Sequence, residues 1–260
     1  MNILDKIIGR KKEELAVAKA KVTLAELMQQ PLFDRTCYNL KDAVLDPKKT
    51  GIIAEYKRAS PSKGVINDKV RVEEVVKGYA AAGASAISVL TDQDFFKGSL
   101  EDLKSAREVL EIPLLRKDFI VDEYQIAEAK AYGADIILLI AAVLSKEEVA
   151  SLAQYAKNLG LNVLLEVHND KELEANLFDT IDAIGVNNRN LKDFTVSIDH
   201  SLALADRIPA SFIKVSESGI SDPLIIGQLK EAGFQAFLIG ENFMKTADPA
   251  ASIKQFVSEL

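Results

Sequence analysis

The feature that most constrains what this chain can fold into is an apolar run that recurs along its length. From residue 51 onward, short runs rich in Ile, Val, Leu and Ala centre on Ile53, Ile87, Leu114, Ile136, Val163, Ile184, Ile213 and Phe237. Successive centres lie 34, 27, 22, 27, 21, 29 and 24 residues apart, an interval that a strand, a helix and two short loops fill. The runs are nearly continuous in apolar residues, as expected of parallel strands buried on both faces. Between them, Glu147–Asn158 and Leu224–Ala232 read as helices. Gly83, Gly133, Gly160 and Gly233 each follow a helical pattern and announce a run, as in A-E-A-K-A-Y-G-A-D-I-I from Ala127 to Ile137. A glycine there accepts the left-handed conformation that ends a helix and turns the chain into the next strand. Eight such units predict a closed (β/α)8 TIM barrel, which needs about 250 residues. An open doubly wound sheet is the alternative, but no G-x-G-x-x-G follows the first run, which weakens its dinucleotide-binding form.

Residues 1–48 lie outside the repeat. The chain is expected to be one barrel domain over 1–260, with a helical extension over 1–48 and the barrel over 49–260. Ile3–Lys19 has helical spacing of apolar residues, and Thr23 is placed to cap a second helix beginning at Leu24. The extension is expected to form a layer over one barrel end, with a contribution to an active-site mouth as the sharper alternative. Met1–Lys21 is charged throughout and has no signal-peptide core. No apolar run approaches the roughly 20 residues that span a bilayer, so no membrane association is expected. The single cysteine, Cys37, has no internal disulfide partner, which suits a reducing cytoplasm. A net charge of −7 argues against general nucleic-acid binding. An anionic ligand must therefore be held by a local basic site working against the global sign.

Catalytic groups of such barrels sit at the carboxyl ends of the strands. The first run finishes Ala54-Glu55-Tyr56-Lys57, and a period of two sends Glu55 and Lys57 to the same side. The third run ends Arg116-Lys117-Asp118, the fifth at Glu166, the sixth Asn187-Asn188-Arg189, and the seventh Ser216-Glu217-Ser218-Gly219. Any one of these alone reads equally as a satisfied ion pair at a strand terminus or as a functional group. Five together predict a functional cluster, because buried charge is costly unless paired or used, and crowded titratable groups displace one another's pKa values. Ser218-Gly219-Ile220-Ser221 and Gly240-Glu241-Asn242 each follow a strand and enter a helix, the places where these barrels hold phosphate on backbone N–H groups. The Glu241 side chain is expected to point away from an anion bound there. His168 is read as a surface or outer residue and next in line as a base, His200 as exposed, and Cys37 as non-catalytic. No convincing metal-ligand spacing and no Walker loop is present, so neither metal nor cofactor is expected.

These segments resemble the indole-3-glycerol phosphate synthase family over nearly the whole chain. I-I-A-E-Y-K-R-A-S-P-S-K-G (Ile52 to Gly64) is similar to its first-strand signature. S-V-L-T-D-Q-D-F-F-K-G-S (Ser88 to Ser99) and L-R-K-D-F-I-V-D-E-Y-Q-I (Leu115 to Ile126) resemble the second and third. L-L-E-V-H, G-V-N-N-R-N-L, V-S-E-S-G-I and L-I-G-E-N-F-M follow in order. Tyr56, Arg58 and Glu241 depart from residues common at those places, and none of the departures removes a catalytic group.

The resemblance implies that an anionic sugar phosphate, 1-(2-carboxyphenylamino)-1-deoxyribulose 5-phosphate, is closed to an indole with loss of carbon dioxide and water. It implies Lys117 as acid, Glu166 as base, Lys57 holding the substrate carboxylate with Glu55 orienting the lysine, and Asn187 and Glu217 binding hydroxyls or ordering the lysines. Ser218, Gly219, Gly240 and Glu241 would hold phosphate, Ser60 and Arg189 would add contacts, and Phe95, Phe119 and Leu138 would wall the aromatic ring. The expected assembly is a monomer or weak oligomer. Two rivals remain at this point. A phosphoribosylanthranilate isomerase-like barrel would favour a cysteine and an aspartate at strand ends. A non-catalytic sugar-phosphate binding protein would need the phosphate site but not two lysines opposite Glu166.

Overall fold

The computed structural model describes residues 3–190 and 195–260. Leu191, the last residue of the G-V-N-N-R-N-L segment, and Met1 and Asn2 lie outside the described residues. Eight parallel strands close on themselves: β1 (Ile52–Tyr56), β2 (Ala86–Leu90), β3 (Leu114–Lys117), β4 (Ile136–Ile140), β5 (Asn162–Val167), β6 (Ala183–Asn187), β7 (Ile213–Glu217) and β8 (Ala236–Ile239). Each pairs with its sequence neighbours, and β8 pairs with β1, so the sheet has no edge and the open doubly wound alternative is excluded. Helices α4 (Val72–Ala81), α5 (Leu100–Val109), α6 (Glu123–Ala131), α7 (Lys146–Asn158), α8 (Asp170–Ala175), α9 (Asp199–Leu204) and α10 (Pro223–Glu231) follow β1 to β7 in turn. The short α11 (Glu241–Met244) and α12 (Pro249–Ser258) follow β8. All eight apolar runs fall on strands.

The period of two divides each strand between two cores. Ile52, Ala54, Ile87, Val89, Val163, Leu165 and Val167 face the helices. Ile53, Ala86, Leu115, Leu138, Leu164, Val215 and Leu238 fill the barrel interior. Register then levels the strand ends: Asn187 pairs with Glu217, Glu166 with Gly185, and Ile140 with Glu166. The inward polar residues thus arrive at one height. At the opposite end Gly133, with φ of 93°, makes the turn from α6 towards β4. A Cβ there would lie 2.5 Å from Arg107 Cγ, so both conformation and space require glycine.

The extension differs from a layer over one end, because it reaches both. Helix α1 (Ile3–Lys21) places Ile3, Leu4 and Ile7 in the wall of the cavity at the carboxyl end. Its buried Lys11 ion-pairs with Asp92 (2.9 Å) and Asp118 (3.0 Å) in the loops after β2 and β3. Thr23 caps α2 (Leu24–Met28) through a reciprocal box with Glu26. The chain then crosses the other end, where Arg35 Nη1 donates to Asp135 Oδ1 (2.6 Å). Leu40 and Val44 of α3 (Leu40–Leu45) pack on the interior residues, and Leu40 N–H donates to Asn162 Oδ1 (3.2 Å). Cys37 lies on this side, remote from the strand ends, with Lys130 Nζ 3.0 Å from its Sγ.

Leu40 is fully buried, so Leu40→Ala leaves a cavity under the barrel. Chemical denaturation should show a loss of about 2–5 kcal/mol. Turnover of the folded variant should be unchanged, because the substitution lies at the end away from the polar cluster. A loss below about 1 kcal/mol, less than the usual cost of deleting a buried leucine, would mean that α3 covers the barrel without plugging it.

Candidate active site

The inward positions at the carboxyl ends converge on one cavity of about 600 Å³, a size suited to a small phosphorylated metabolite. Glu55, Lys57, Ser60, Lys117, Phe119, Leu138, Glu166, Asn187, Arg189, Glu217, Ser218, Gly219, Gly240 and Glu241 all line it. Phe95 does not. The loop after β2 turns Phe96 inward instead, with its ring centroid 6.2 Å from that of Phe119. Within an adjacent Phe-Phe pair in a loop, no periodicity tells which ring turns in. The extension contributes to the mouth, as its sharper reading has it, through one face of α1 where Ile3, Leu4 and Ile7 line the cavity.

Lys117 is the hub. Its Nζ lies 2.5 Å from Glu217 Oε2 and 3.2 Å from Glu166 Oε2. Asn187 Nδ2 donates to Glu166 Oε1 (3.1 Å), and Asn187 Oδ1 accepts from the Arg189 N–H (3.0 Å). Across the cavity, Lys57 Nζ sits 2.6 Å from Glu55 Oε1, and Ser88 Oγ lies 3.4 Å from Glu55 Oε2. Two glycines make room for these carboxylates. A Cβ on Gly185 would overlap Glu217 Oε1, and one on Gly240 would lie 2.5 Å from Glu55 Oε1.

The residues beside Lys117 in sequence point outward and fix the end of β3. Arg116 pairs with Glu128 (2.9 Å) and Asp118 (3.1 Å), and Thr91 Oγ1 donates to Asp118 Oδ2 (2.6 Å). Burial raises the Asp118 carboxyl, but Arg116 and Lys11 outweigh it and hold the pKa at about 2. Arg58 likewise faces away, paired with Asp102 at 2.5 Å, while the Tyr56 hydroxyl donates to Val70 O (3.0 Å).

Electrostatics distinguish the three groups at the hub. Burial favours a neutral Lys117, but Glu217, Glu166 and Glu55 outweigh it, so its pKa rises above the ordinary ammonium value. Burial also pushes Glu166 up, and Lys117 and His168 reverse that to a net lowering. Glu217 is pushed up to about 7, chiefly by burial, with Lys117 pulling it down and Glu166 pushing it up. Near neutral pH the hub therefore holds an ammonium, a carboxylate, and a carboxyl group poised between its two forms.

The turns after β7 and β8 face each other across the mouth. Ser218 and Gly219 both have positive φ, at 70° and 78°, and Asn188 Nδ2 donates to Ser218 O (3.0 Å). Lys63, Arg189 and Lys245 line the same side, a local basic surface in an acidic chain. The Glu241 side chain does not point away. Its carboxylate lies 3.6 Å from Lys63 Nζ and 3.7 Å from Arg189 Nη2, although both neighbours remain partly exposed. His168 sits behind Glu166 outside the cavity lining, and His200 is exposed on α9. Among the described residues no group of three or more His, Cys, Asp or Glu could hold a metal, and no helix is long and apolar enough to cross a membrane.

Acid–base groups gathered at the carboxyl ends of eight parallel strands, beside two facing turns, define a (β/α)8-barrel enzyme. Solved structures share the fold: tryptophan synthase from Pyrococcus furiosus is similar with a TM-score of 0.62 at 17% identity, covering 82% of this chain and 98% of that one. 3-Hexulose-6-phosphate synthase from Salmonella typhimurium gives 0.60 at 15% identity, covering 80% and 96%. The family model for indole-3-glycerol phosphate synthase matches residues 4–256. The indole-3-glycerol phosphate synthase of Bacteroides thetaiotaomicron is 46% identical over 259 residues, covering 100% of this chain and 99% of the relative. That of Polaromonas sp. is 44% identical, covering 98% and 97%. The chain belongs to the indole-3-glycerol phosphate synthase family.

The raised Glu217 predicts a pH-dependent stability. A carboxyl raised from 4.5 to about 7 in the folded state contributes stability that is present below the ordinary carboxyl range and lost as pH rises through about 7. Glu217→Gln has no such loss. Denaturant unfolding of both proteins should therefore shift in the variant's favour by about 2–3 kcal/mol between pH 5 and pH 8. Parallel pH curves would mean that Glu217 is ionised throughout.

Proposed function

We propose that the hub and its facing lysine carry out the three bond changes of the family's reaction. That reaction, a step of tryptophan biosynthesis, converts 1-(2-carboxyphenylamino)-1-deoxyribulose 5-phosphate to indole-3-glycerol phosphate, carbon dioxide and water. Lys117 is the general acid. It protonates the ribulose carbonyl oxygen as the aromatic carbon attacks, and later the departing hydroxyl. Glu166 is the base of the elimination. Lys57 binds the substrate carboxylate before it leaves, with Glu55 fixing the ammonium. Asn187 orients Glu166, and Glu217 orders Lys117 and contacts substrate hydroxyls.

Backbone N–H groups of the Ser218-Gly219 and Gly240-Glu241 turns hold the phosphate, with Ser60 and Arg189 adding contacts. Phe96, Phe119 and Leu138 wall the aromatic ring, Phe96 taking the part expected of Phe95. The carrying observation is the Lys117 ammonium held by Glu166 and Glu217 across one cavity from the Lys57–Glu55 pair. Every bond change is polar, and these residues supply its acid, its base and its anion contacts.

We read residues 1–260 as one domain, the 1–48 extension completing both ends of the 49–260 barrel. We place the chain in the cytoplasm as a monomer or weak oligomer without nucleic-acid partners, in keeping with its single cysteine and its net charge of −7.

The test mixes purified protein with the carboxyphenylamino-deoxyribulose phosphate, without metal or nucleotide. Indole fluorescence should rise, with carbon dioxide released one for one. Lys117→Ala should lower kcat by about 10²–10⁴-fold while KM changes far less, because an acid acts in the transition state. Retention of more than roughly a tenth of wild-type kcat would remove Lys117 from the mechanism.

A further inference from the structure

The reaction has a proton requirement that the hub alone does not meet. The carbonyl oxygen of the substrate leaves as water and so takes up two protons. One is recovered within the site, when the base removes hydrogen from the methylene carbon beside the ring nitrogen. The other must come from solvent. The charges agree: the substrate carries a carboxylate and a phosphate, whereas the products are neutral carbon dioxide, neutral water and an indole with the same phosphate. One proton is consumed per turnover. Yet Glu166 and Glu217 are almost wholly buried, and a substrate seated in the cavity would stand between Lys117 and solvent.

Behind Glu166 lies a second row of titratable groups that these assignments leave unused. His168, two residues on in the chain and just past the end of β5, packs against Glu166 from behind the cavity. Its Nε2 is buried, makes no hydrogen bond, and lies 3.5 Å from Glu166 Oε1. Its Nδ1 lies 3.4 Å from Glu172 Oε2. Glu172 is held by the His168 N–H (2.8 Å) and by Asn169 Nδ2 (2.6 Å), and its side chain is 20% exposed. An imidazole with one nitrogen towards a partly solvated carboxylate and the other towards a buried base is built to take a proton on one side and release it on the other.

We propose that His168 is a proton relay that acts through Glu166, carrying the solvent proton of each turnover from Glu172 to the hub. Glu172 hands a proton to Nδ1, and Nε2 gives its own to Glu166 Oε1. The carboxyl group then turns about its Cγ–Cδ bond to release that proton to Lys117 Nζ, which lies 3.2 Å from the Oε2 position, once the lysine has protonated the oxygen. No bond other than those to hydrogen changes, and a tautomer exchange resets the ring. The charged groups facing His168 are Glu166 on β5, Glu172 on α8 and Glu217 on β7, with Lys117 beyond Glu166. Burial lowers the imidazole pKa, but these carboxylates outweigh it and raise it above the usual histidine value, so the protonated form persists near neutral pH.

The inference rests on Glu166 as the proton-handling base, and the experiment separates the two. His168→Gln keeps an amide facing Glu166 but cannot relay, and His168→Ala opens space for a small base. Resupply follows the irreversible loss of carbon dioxide, so both variants should lose at least about tenfold in kcat with kcat/KM little changed. Imidazole added at millimolar concentration should restore kcat in His168→Ala, and the fall of kcat as the histidine deprotonates should vanish in His168→Gln. Circular dichroism and unfolding of both variants establish that they are folded. Wild-type kcat in both, or a loss that imidazole leaves unchanged with the pH profile intact, overturns the relay. Glu166→Gln is run alongside: its inactivity, without imidazole rescue, leaves the base assignment standing in either case. Near wild-type activity in Glu166→Gln overturns the base assignment itself, and the relay with it.

Discussion

One buried ammonium held by two carboxylates organises the molecule. Lys117 cannot be taken out of water without partners, and each carboxylate that stabilises it must itself be desolvated. Two negative groups around one positive group leave the pocket short of positive charge, and Glu217 answers by rising towards neutrality. Lys117 is thereby kept as an acid without requiring both neighbours to stay ionised. The Lys57–Glu55 pair opposite is simpler, one charge against one, and leaves its lysine accessible to an anion.

The scaffold serves this arrangement through spacing. A period of two puts Glu55 and Lys57 on the same side, and the staggered ladders bring the ends of β5, β6 and β7 to one height. Gly185 and Gly240 then give up side-chain volume beside Glu217 and Glu55. Around the barrel, outward charges such as Arg116 and Asp118 are satisfied in pairs among themselves and with α1, so the inward charges face one another without competition.

Much of this was legible in the sequence because barrel strands are periodic and buried on both faces. The eight runs, the glycine turns and the five polar strand ends follow from that one regularity, and so does the shared direction of Glu55 and Lys57. What was not legible lies in loops and docking, where no period operates. Phe96 rather than Phe95 turns inward because of how the loop after β2 closes on Phe119. Glu241 faces Lys63 and Arg189 because the loops after β1 and β6 meet the start of α11 across the mouth. The extension reaches both ends because Lys11 and Arg35 find buried aspartates on opposite sides of the barrel, a pairing between residues about a hundred positions apart. His168 was read as a surface or outer residue, and its second carboxylate neighbour, Glu172, comes from folding α8 back beside β5.

The hydrogen bonds and ion pairs that tie the extension down have a narrow address. Lys11 goes to Asp92 and Asp118, Arg35 to Asp135, and Leu40 to Asn162, all between β2 and the start of β5. A chain made from its amino end therefore exposes every one of these partners before β6, β7 and β8 have been synthesised. The extension can settle on a half-built sheet and shield its interior while the rest is still on the ribosome. The ladder between β8 and β1, which joins residues nearly two hundred positions apart, can close only after β8 has been made, onto a half-barrel able to carry its own cover by then.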